Sequence, residues 1–296
     1  MFIFKPFVGS WREFNLACSQ AARNLQLHSL KIPQRKVIYP PDQSVNSSVA
    51  QFDFQSEKYI NSSLIFKEIN IIEVINFLKK DGFSLGINLP IEITQEIREF
   101  AKNTLCYGNN NPNLGFFYSQ KEQAQVQYAT SFATGYYDNT ALLCSAIQYL
   151  ESDPLLLTIA TQYLESESIH EESQLWWNFP VASTVYERRR SAQRFHRESE
   201  TRRYLQFFFY ITNVDLCSSP HICVRGSHHS KSLSGLYRPK EFSYQEIVQH
   251  YGYQSLVPIC GKVGSGFVED PRCFHKKAPP SSQERLTLQI QFSIKP

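Results

Sequence analysis

Residues 193–198 read Gln-Arg-Phe-His-Arg-Glu, and a second stretch, residues 270–275, reads Asp-Pro-Arg-Cys-Phe-His. In the first stretch one residue separates His196 from Glu198, so on an extended chain both side chains point to the same side. His275 supplies a second imidazole from a distant part of the chain. The pattern predicts that these three side chains bind one metal ion.

The ligand types narrow the choice of metal. Two imidazoles and one carboxylate form the facial triad of non-haem Fe(II) sites, which leaves coordination positions open. Arg285 follows His275 by ten residues, and Thr287 lies two residues beyond it. A guanidinium and a hydroxyl on neighbouring inward positions could bind the carboxylate of a 2-oxo acid. A His-x-Glu pair alone is more often a surface pair, so the prediction depends on His275, Arg285 and Thr287.

Composition excludes several classes of protein. The 296 residues are 42% hydrophobic and 19% charged, which favours a globular chain over a disordered one. A net charge of +3 is too small to indicate a nucleic-acid partner. The seven cysteines form no C-x-x-C pair, and no apolar run has the length of a membrane span. We therefore expect a soluble cytoplasmic protein that has neither a nucleic-acid partner nor a membrane span.

Helical periodicity dominates the first half of the chain and strand-like runs dominate the second. The predicted helices cover 69–78, 92–104, 140–150, 154–164 and 243–250. The predicted strands cover 175–177, 183–186, 204–212, 255–259, 266–269 and 286–294. Helices followed by strands indicate an α+β protein with helices packed outside a β-sandwich or barrel.

The last predicted strand has two different faces. Its polar residues share one parity and its apolar residues share the other: Arg285, Thr287, Gln289 and Gln291 against Leu286, Leu288, Ile290 and Phe292. A surface strand would alternate in the same way. In a barrel that encloses a charged co-substrate, the polar face would point inward and helices would cover the apolar face.

Several separated motifs resemble the phytanoyl-CoA dioxygenase family. Around the metal-binding stretch they are Gln193–Glu198, Tyr204–Asp215, Pro220-His221 and Gly226-Ser227-His228. Upstream they are Asp81-Gly82-Phe83, Asp153–Leu156 and Leu175–Trp177, and downstream Gly264–Asp270 through His275 and Arg285. The similarity covers roughly residues 70–295.

The resemblance implies a double-stranded β-helix core, of the jelly-roll or cupin-like type, with flanking helices that are mostly N-terminal. It implies a dioxygenase that uses Fe(II), 2-oxoglutarate and O2, hydroxylates a small organic or acyl-type substrate, and releases succinate and CO2. It also implies His196, Glu198 and His275 as iron ligands. Arg285 would bind the distal carboxylate of 2-oxoglutarate with help from Thr287.

A change in sequence pattern near residue 66 predicts a division of the chain into two parts. Residues 1–65 form an N-terminal extension, which is either a surface arm or a lid or partner-docking segment. Residues 66–296 form the oxygenase domain, with a helical part at 66–170 and the β-helix core at 171–296.

The sequence departs from the family pattern at Glu198, where the family has Asp. Glutamate is one methylene longer and carries the same charge, so a changed rotamer could keep its carboxylate on the metal. Halogenating relatives have a small residue at this position, so a carboxylate favours hydroxylation. An alternative is a catalytically impaired relative, in which Glu198 distorts the site and the barrel acts as a binding or interaction module.

Other polar residues near these motifs are weaker candidates. Gln193 is a candidate co-substrate contact, and so is Gln206, which shares a face with Tyr210 and Thr212; packing is the other interpretation of that face. Arg189 and Arg190 belong to an arginine-rich stretch that either forms a solvated edge or lines the entrance for an anionic or thioester-linked substrate. His221 is predicted to be structural, and His228 and His229 to order a loop through hydrogen bonds.

Overall fold

Two antiparallel β-sheets form the centre of the computed structural model, which describes residues 63–66, 68–181, 194–198, 203–229, 241–278 and 282–295. The strands within these ranges are β1 (Phe83–Leu85), β2 (Cys106–Gly108), β3 (Gly115–Phe116), β4 (Thr134–Tyr136), β5 (Ser168–Asn178), β6 (Phe195–His196), β7 (Tyr204–Tyr210), β8 (His221–Val224), β9 (Glu241–Phe242), β10 (Leu256–Ile259), β11 (Gly266–Glu269), β12 (His275–Lys277) and β13 (Arg285–Ile294).

The larger sheet has the strand order β1-β11-β7-β13-β5-β4-β2-β3, and the smaller sheet has the order β10-β8-β12-β6-β9. Neighbours within each sheet are antiparallel, and most are distant in sequence, as in a jelly roll. Together with the flanking helices, this arrangement confirms the predicted α+β class and the double-stranded β-helix core.

Helices flank the two sheets. They are α1 (Ile71–Asp81), α2 (Ile91–Asn103), α3 (Lys121–Gln127), α4 (Thr140–Leu143), α5 (Ser145–Glu151), α6 (Pro154–Leu164) and α7 (Tyr244–Tyr251), the last of which follows β9. The Asp153 carboxylate accepts hydrogen bonds from the first turn of α6, and Ser243 and Glu246 form a capping box on α7. No helix among the described residues is long and apolar enough to cross a membrane.

The predicted helices are confirmed, except that one break at Cys144 divides the segment 140–150 into two short helices. Helix α1 ends at Gly82, whose φ of +86° lies in the left-handed region that favours glycine. Residues 1–62 lie outside the described residues, and so does the predicted strand 183–186. The N-terminal extension and the domain boundary therefore stay predictions.

The two faces of β13 lie in different environments. Its apolar side chains, Leu286, Leu288, Ile290 and Phe292, join the large core formed with the helices. The opposite face points toward the smaller sheet, as predicted. This interior is less polar than predicted, because five buried aromatic side chains line it from the larger sheet: Phe83, Trp176, Phe208, Tyr210 and Phe267. The polar groups of the interior are therefore surrounded by apolar surface.

Candidate metal centre

The two predicted imidazole ligands lie side by side in the smaller sheet. Strands β6 and β12 pair with His196 directly opposite His275, and the ring centroids are 4.4 Å apart. Glu198 follows β6, and its backbone N–H donates to the carbonyl oxygen of Pro271 at 2.9 Å. One ligand atom from each of His196, Glu198 and His275 lies within 4.8 Å of the other two. The fold therefore brings the three predicted ligands together.

Both imidazoles present the same nitrogen to the metal position. The Nδ1 atom of His196 is hydrogen-bonded to the carbonyl oxygen of Arg194 at 3.2 Å, and Nδ1 of His275 to that of Cys273 at 2.9 Å. An imidazole that donates through Nδ1 keeps the lone pair of Nε2 available for a metal. The donor set and its orientation therefore fit a metal ion held by His196, Glu198 and His275.

The two imidazoles differ in their affinity for protons. Burial, with a contribution from the neighbouring His275, lowers the pKa of His196 to about 4. Burial alone would lower the pKa of His275 too. The Glu269 carboxylate has the opposite and larger effect, so the pKa of His275 is raised. His196 is therefore neutral at pH 7 and ready to bind a metal, whereas at His275 a proton competes with the metal.

A buried carboxylate from the opposite sheet supports His275. Glu269, at the end of β11, is fully buried, and its Oε1 lies 2.8 Å from Nδ1 of His275. Its Oε2 lies 2.6 Å from Nε2 of His221, which is also buried. Burial would raise the pKa of Glu269, but the two imidazoles lower it well below its ordinary value. An ionised carboxylate therefore links His221 to the metal ligand.

The sequence does not predict this role of Glu269, and it predicts only a structural role for His221. One feature of the sequence does point to Glu269: it is an acidic residue at the end of the apolar run Gly-Phe-Val-Glu, residues 266–269. A carboxylate is seldom buried in such a strand unless it has a partner. That signal indicates a buried partner without identifying it.

His221, Cys223 and Glu269 also lie within 4.8 Å of one another and are all buried. Their chemistry does not suit a second metal ion. Both carboxylate oxygens of Glu269 already contact imidazoles, and burial together with Glu269 raises the pKa of the Cys223 thiol well above its ordinary value. A metal needs the thiolate. We interpret this cluster as a buried polar network that orients His275.

Replacing Glu269 with glutamine should weaken metal binding by about 10- to 100-fold, the usual effect of losing a partner behind a histidine ligand. Glutamine has nearly the same shape, but it removes the charge that makes His275 a stronger donor. Calorimetric titration of the tag-free apo-protein with Ni(II) measures the change in metal affinity. Asp270→Asn is the matched control, because Asp270 is an equally buried carboxylate that pairs with Arg272. An equal loss in both variants would contradict the proposed orientation of His275.

Arg285 and Thr287 project from β13 into the same interior. Arg285 is 1% exposed; its Nη1 donates to the Ser219 carbonyl oxygen and its Nη2 to Oδ1 of Asn178 at 2.7 Å. The buried Nε of Arg285 and Oγ1 of Thr287 have no hydrogen-bond partner among the described residues. Buried polar atoms are normally satisfied, so these two donors are available to a ligand that accepts hydrogen bonds.

The other predicted site residues lie elsewhere. Gln206 shares the inner face, but its amide donates to Oε1 of Gln291 at 3.0 Å. Tyr210, four residues further along β7, lies opposite Thr287. The candidate contacts Gln193, Arg189 and Arg190 lie outside the described residues. His228 and His229 hydrogen-bond the carbonyl oxygen of Lys79 through their Nε2 atoms, which is the loop-ordering arrangement that the sequence predicts.

Solved structures of non-haem enzymes have a similar fold. HygX from Streptomyces hygroscopicus, with nickel and 2-oxoglutarate bound, aligns with a TM-score of 0.51 at 11% identity over 75% of this chain and 87% of its own. The epimerase SnoN in complex with Fe3+, alpha ketoglutarate and nogalamycin RO aligns with a TM-score of 0.51 and 12% sequence identity. The alignment covers 76% of this chain and 83% of SnoN. EctD from S. alaskensis, with 2-oxoglutarate and 5-hydroxyectoine, aligns with a TM-score of 0.50 and 13% sequence identity. The alignment covers 88% of this chain and 87% of EctD.

These similarities establish the fold. Identities of this size carry no residue roles from those proteins to this chain. No protein-family model matches the sequence, and a search of curated proteins found no match. The assignment of function therefore depends on the site itself.

Proposed function

We propose that this protein is an Fe(II)- and 2-oxoglutarate-dependent dioxygenase of the phytanoyl-CoA dioxygenase type, which hydroxylates a small organic or acyl-type substrate. One observation carries the proposal. A two-histidine, one-carboxylate cluster in the smaller sheet faces a buried arginine in the larger sheet, and that arginine and its neighbour Thr287 have unsatisfied polar atoms. A metal and a 2-oxo dicarboxylate together would satisfy both halves of this interior.

Each residue has a distinct task in this proposal. His196, Glu198 and His275 would hold the iron, and Glu269 would keep Nε2 of His275 directed at it. When bound, iron with 2-oxoglutarate and O2 supplies the oxidising chemistry, in which the co-substrate becomes succinate and CO2. Arg285 would bind the distal carboxylate through its fixed guanidinium donors.

The aromatic side chains around the site would exclude bulk water. Trp176, Tyr210 and Phe267 are each at most 1% exposed and belong to the cluster between the sheets. In so apolar a region, a hydrogen bond between a charged donor and a carboxylate is stronger than in water. The same region limits access to the metal to molecules that fit between the sheets.

The class of substrate is proposed from the bound compounds of two similar structures and from an arginine-rich stretch. SnoN and EctD were solved with small organic compounds bound, which is consistent with a small-molecule substrate here. An anionic or thioester-linked substrate follows only from Arg189 and Arg190, and it stays a prediction. The carboxylate of Glu198 favours hydroxylation over halogenation. A cytoplasmic location is likewise a prediction, which rests on the pattern of cysteines.

Anaerobic addition of Fe(II) and 2-oxoglutarate to the purified apo-protein tests the proposal. We expect a weak visible metal-to-ligand charge-transfer band, which forms only when the 2-oxo acid chelates the bound iron. Admission of O2 should then release succinate, and a screen of candidate substrates should identify those that increase the rate. If neither a band nor succinate appears, the barrel is instead a binding or interaction module whose site Glu198 has distorted.

A further inference from the structure

Lys277 reaches across the interior from the smaller sheet to the larger one. It lies on β12 two residues after the metal ligand His275, so both side chains leave the strand on the same side. Its Nζ lies 4.3 Å from the centroid of the Trp176 ring, on β5 of the larger sheet. The ammonium group is therefore inside the barrel, beside the face that carries Arg285 and Thr287.

Trp176 connects this ammonium to the arginine site. In the pairing of β5 with β13, Trp176 lies directly opposite Thr287, and Asn178 lies opposite Arg285. Side chains at opposed positions of neighbouring strands are in contact. Oδ1 of Asn178 accepts hydrogen bonds both from the Trp176 indole at 3.0 Å and from the Arg285 guanidinium at 2.7 Å. Lys277, Arg285 and Thr287 therefore surround one small region.

The positive charge in this region has no protein counter-ion among the described residues. No carboxylate among the described residues forms an ion pair with Lys277 or Arg285, and burial, with a smaller contribution from Arg285, lowers the pKa of Lys277 to about 7. Like charges inside a protein are unfavourable unless an anion joins them. Contact with an indole ring attracts an ammonium only weakly and does not offset the repulsion from a second cation.

We propose that Lys277 is a second cation of the co-substrate site and that, together with Arg285, it binds the distal carboxylate of a 2-oxo dicarboxylic acid. The inference rests on the proposed function, because one end of that acid must chelate the metal at His275. A dicarboxylate that runs from the metal into the interior would pass along β12 and reach Arg285 on the facing sheet. Lys277 would then select dicarboxylates over 2-oxo acids that lack the second carboxylate.

Two ligands that differ only in the distal group test this role. Binding of 2-oxoglutarate and of 2-oxopentanoate, which has a methyl group in place of the distal carboxylate, is measured by calorimetry on Ni(II)-loaded wild type and Lys277→Met. Methionine is unbranched and only one atom shorter than lysine, so it keeps an apolar contact with Trp176. We expect the variant to bind 2-oxoglutarate about 10- to 100-fold more weakly, the usual effect of losing one hydrogen bond to a charged group. Its affinity for 2-oxopentanoate should be unchanged.

Stability provides a second readout. Removing one of two cations that lack a counter-ion should raise the melting temperature of the ligand-free protein, whereas loss of a merely structural lysine would lower it. Lys276→Met is the matched control, because Lys276 is the preceding residue on β12 and its side chain lies over the rings of Phe195 and Tyr244 instead. This control should keep the affinity of wild type for 2-oxoglutarate.

The outcomes separate the inference from the proposed function. If wild type binds 2-oxoglutarate and Lys277→Met binds it equally well or more tightly, the role of Lys277 is wrong and the proposed function is unaffected. If Lys277→Met loses affinity equally for 2-oxoglutarate and 2-oxopentanoate, Lys277 acts on the end of the acid that chelates the metal. That result would also overturn the inference. If wild-type protein binds neither Ni(II) nor 2-oxoglutarate, the proposed function is wrong, and the role of Lys277 is wrong with it.

Discussion

Replacing His275 with alanine is expected to weaken metal binding by more than about 100-fold, beyond the loss caused by removing a partner behind the ligand. His275 is the member of the triad that is held from three sides. It lies opposite His196 in the sheet, hydrogen-bonds the Cys273 carbonyl oxygen and contacts Glu269. Without it, one imidazole and one carboxylate would remain for the metal. Calorimetric titration of tag-free protein with Ni(II) measures the loss.

The control for this variant is His229→Ala. The rings of His228 and His229 are 3.9 Å apart in a partly exposed loop, and such a pair could bind nickel weakly without any relation to the triad. We expect His229→Ala to retain the affinity of wild type. If instead His275→Ala retains Ni(II) binding and His229→Ala loses it, the metal binds at the loop and the triad is not the metal centre.

Arg285→Met is expected to weaken binding of 2-oxoglutarate to the metal-loaded protein by more than about 100-fold. Two hydrogen bonds from a guanidinium to a carboxylate contribute about 1.5–3 kcal/mol each, which together corresponds to at least about a hundredfold in affinity. The Ni(II) affinity should change little, because the arginine lies on the opposite sheet from the metal ligands. Calorimetry with each ligand in turn separates the two effects.

Methionine at position 285 removes a buried charge and fills a similar volume, so we expect the variant to fold, although it loses hydrogen bonds to Ser219 and Asn178. Arg285→Lys is the conservative control. It keeps the charge but not the paired donors of a guanidinium, so its affinity for 2-oxoglutarate should fall between those of wild type and Arg285→Met. Unchanged affinity in Arg285→Met would favour a metal enzyme that does not use 2-oxoglutarate.

The sequence predicts the two faces of β13 well. Alternation along that strand separates Arg285 and Thr287 from Leu286 and Leu288, and the structure places the first pair inside the barrel and the second against the helices. Periodicity is a local property, so it can be read without knowledge of the neighbouring strands. It does not show how much of the inner face is aromatic, because those rings come from other strands.

The roles of Glu269, His221 and Lys277 were not predictable in the same way. Each becomes meaningful only through a partner on another strand: Glu269 beside His275, His221 beside Glu269, and Lys277 over Trp176. Strand parity shows that Lys277 shares a side with His275, and it cannot show which side chains face them across the barrel. Pairing between distant strands depends on the whole arrangement of the sheets.

The amino-acid sequence by itself determined most of the helices, the alternation of polar and apolar residues along the last strand, and the donor types of the candidate metal site, since these follow from local spacing and side-chain chemistry. Only the tertiary structure decided that His196 lies opposite His275, that Glu269 supports His275, and that Lys277 lies over Trp176. The physical reason is that two packed antiparallel sheets bring together residues from four strands. Contacts of that kind depend on register and on distance through space, which no single segment of the chain encodes.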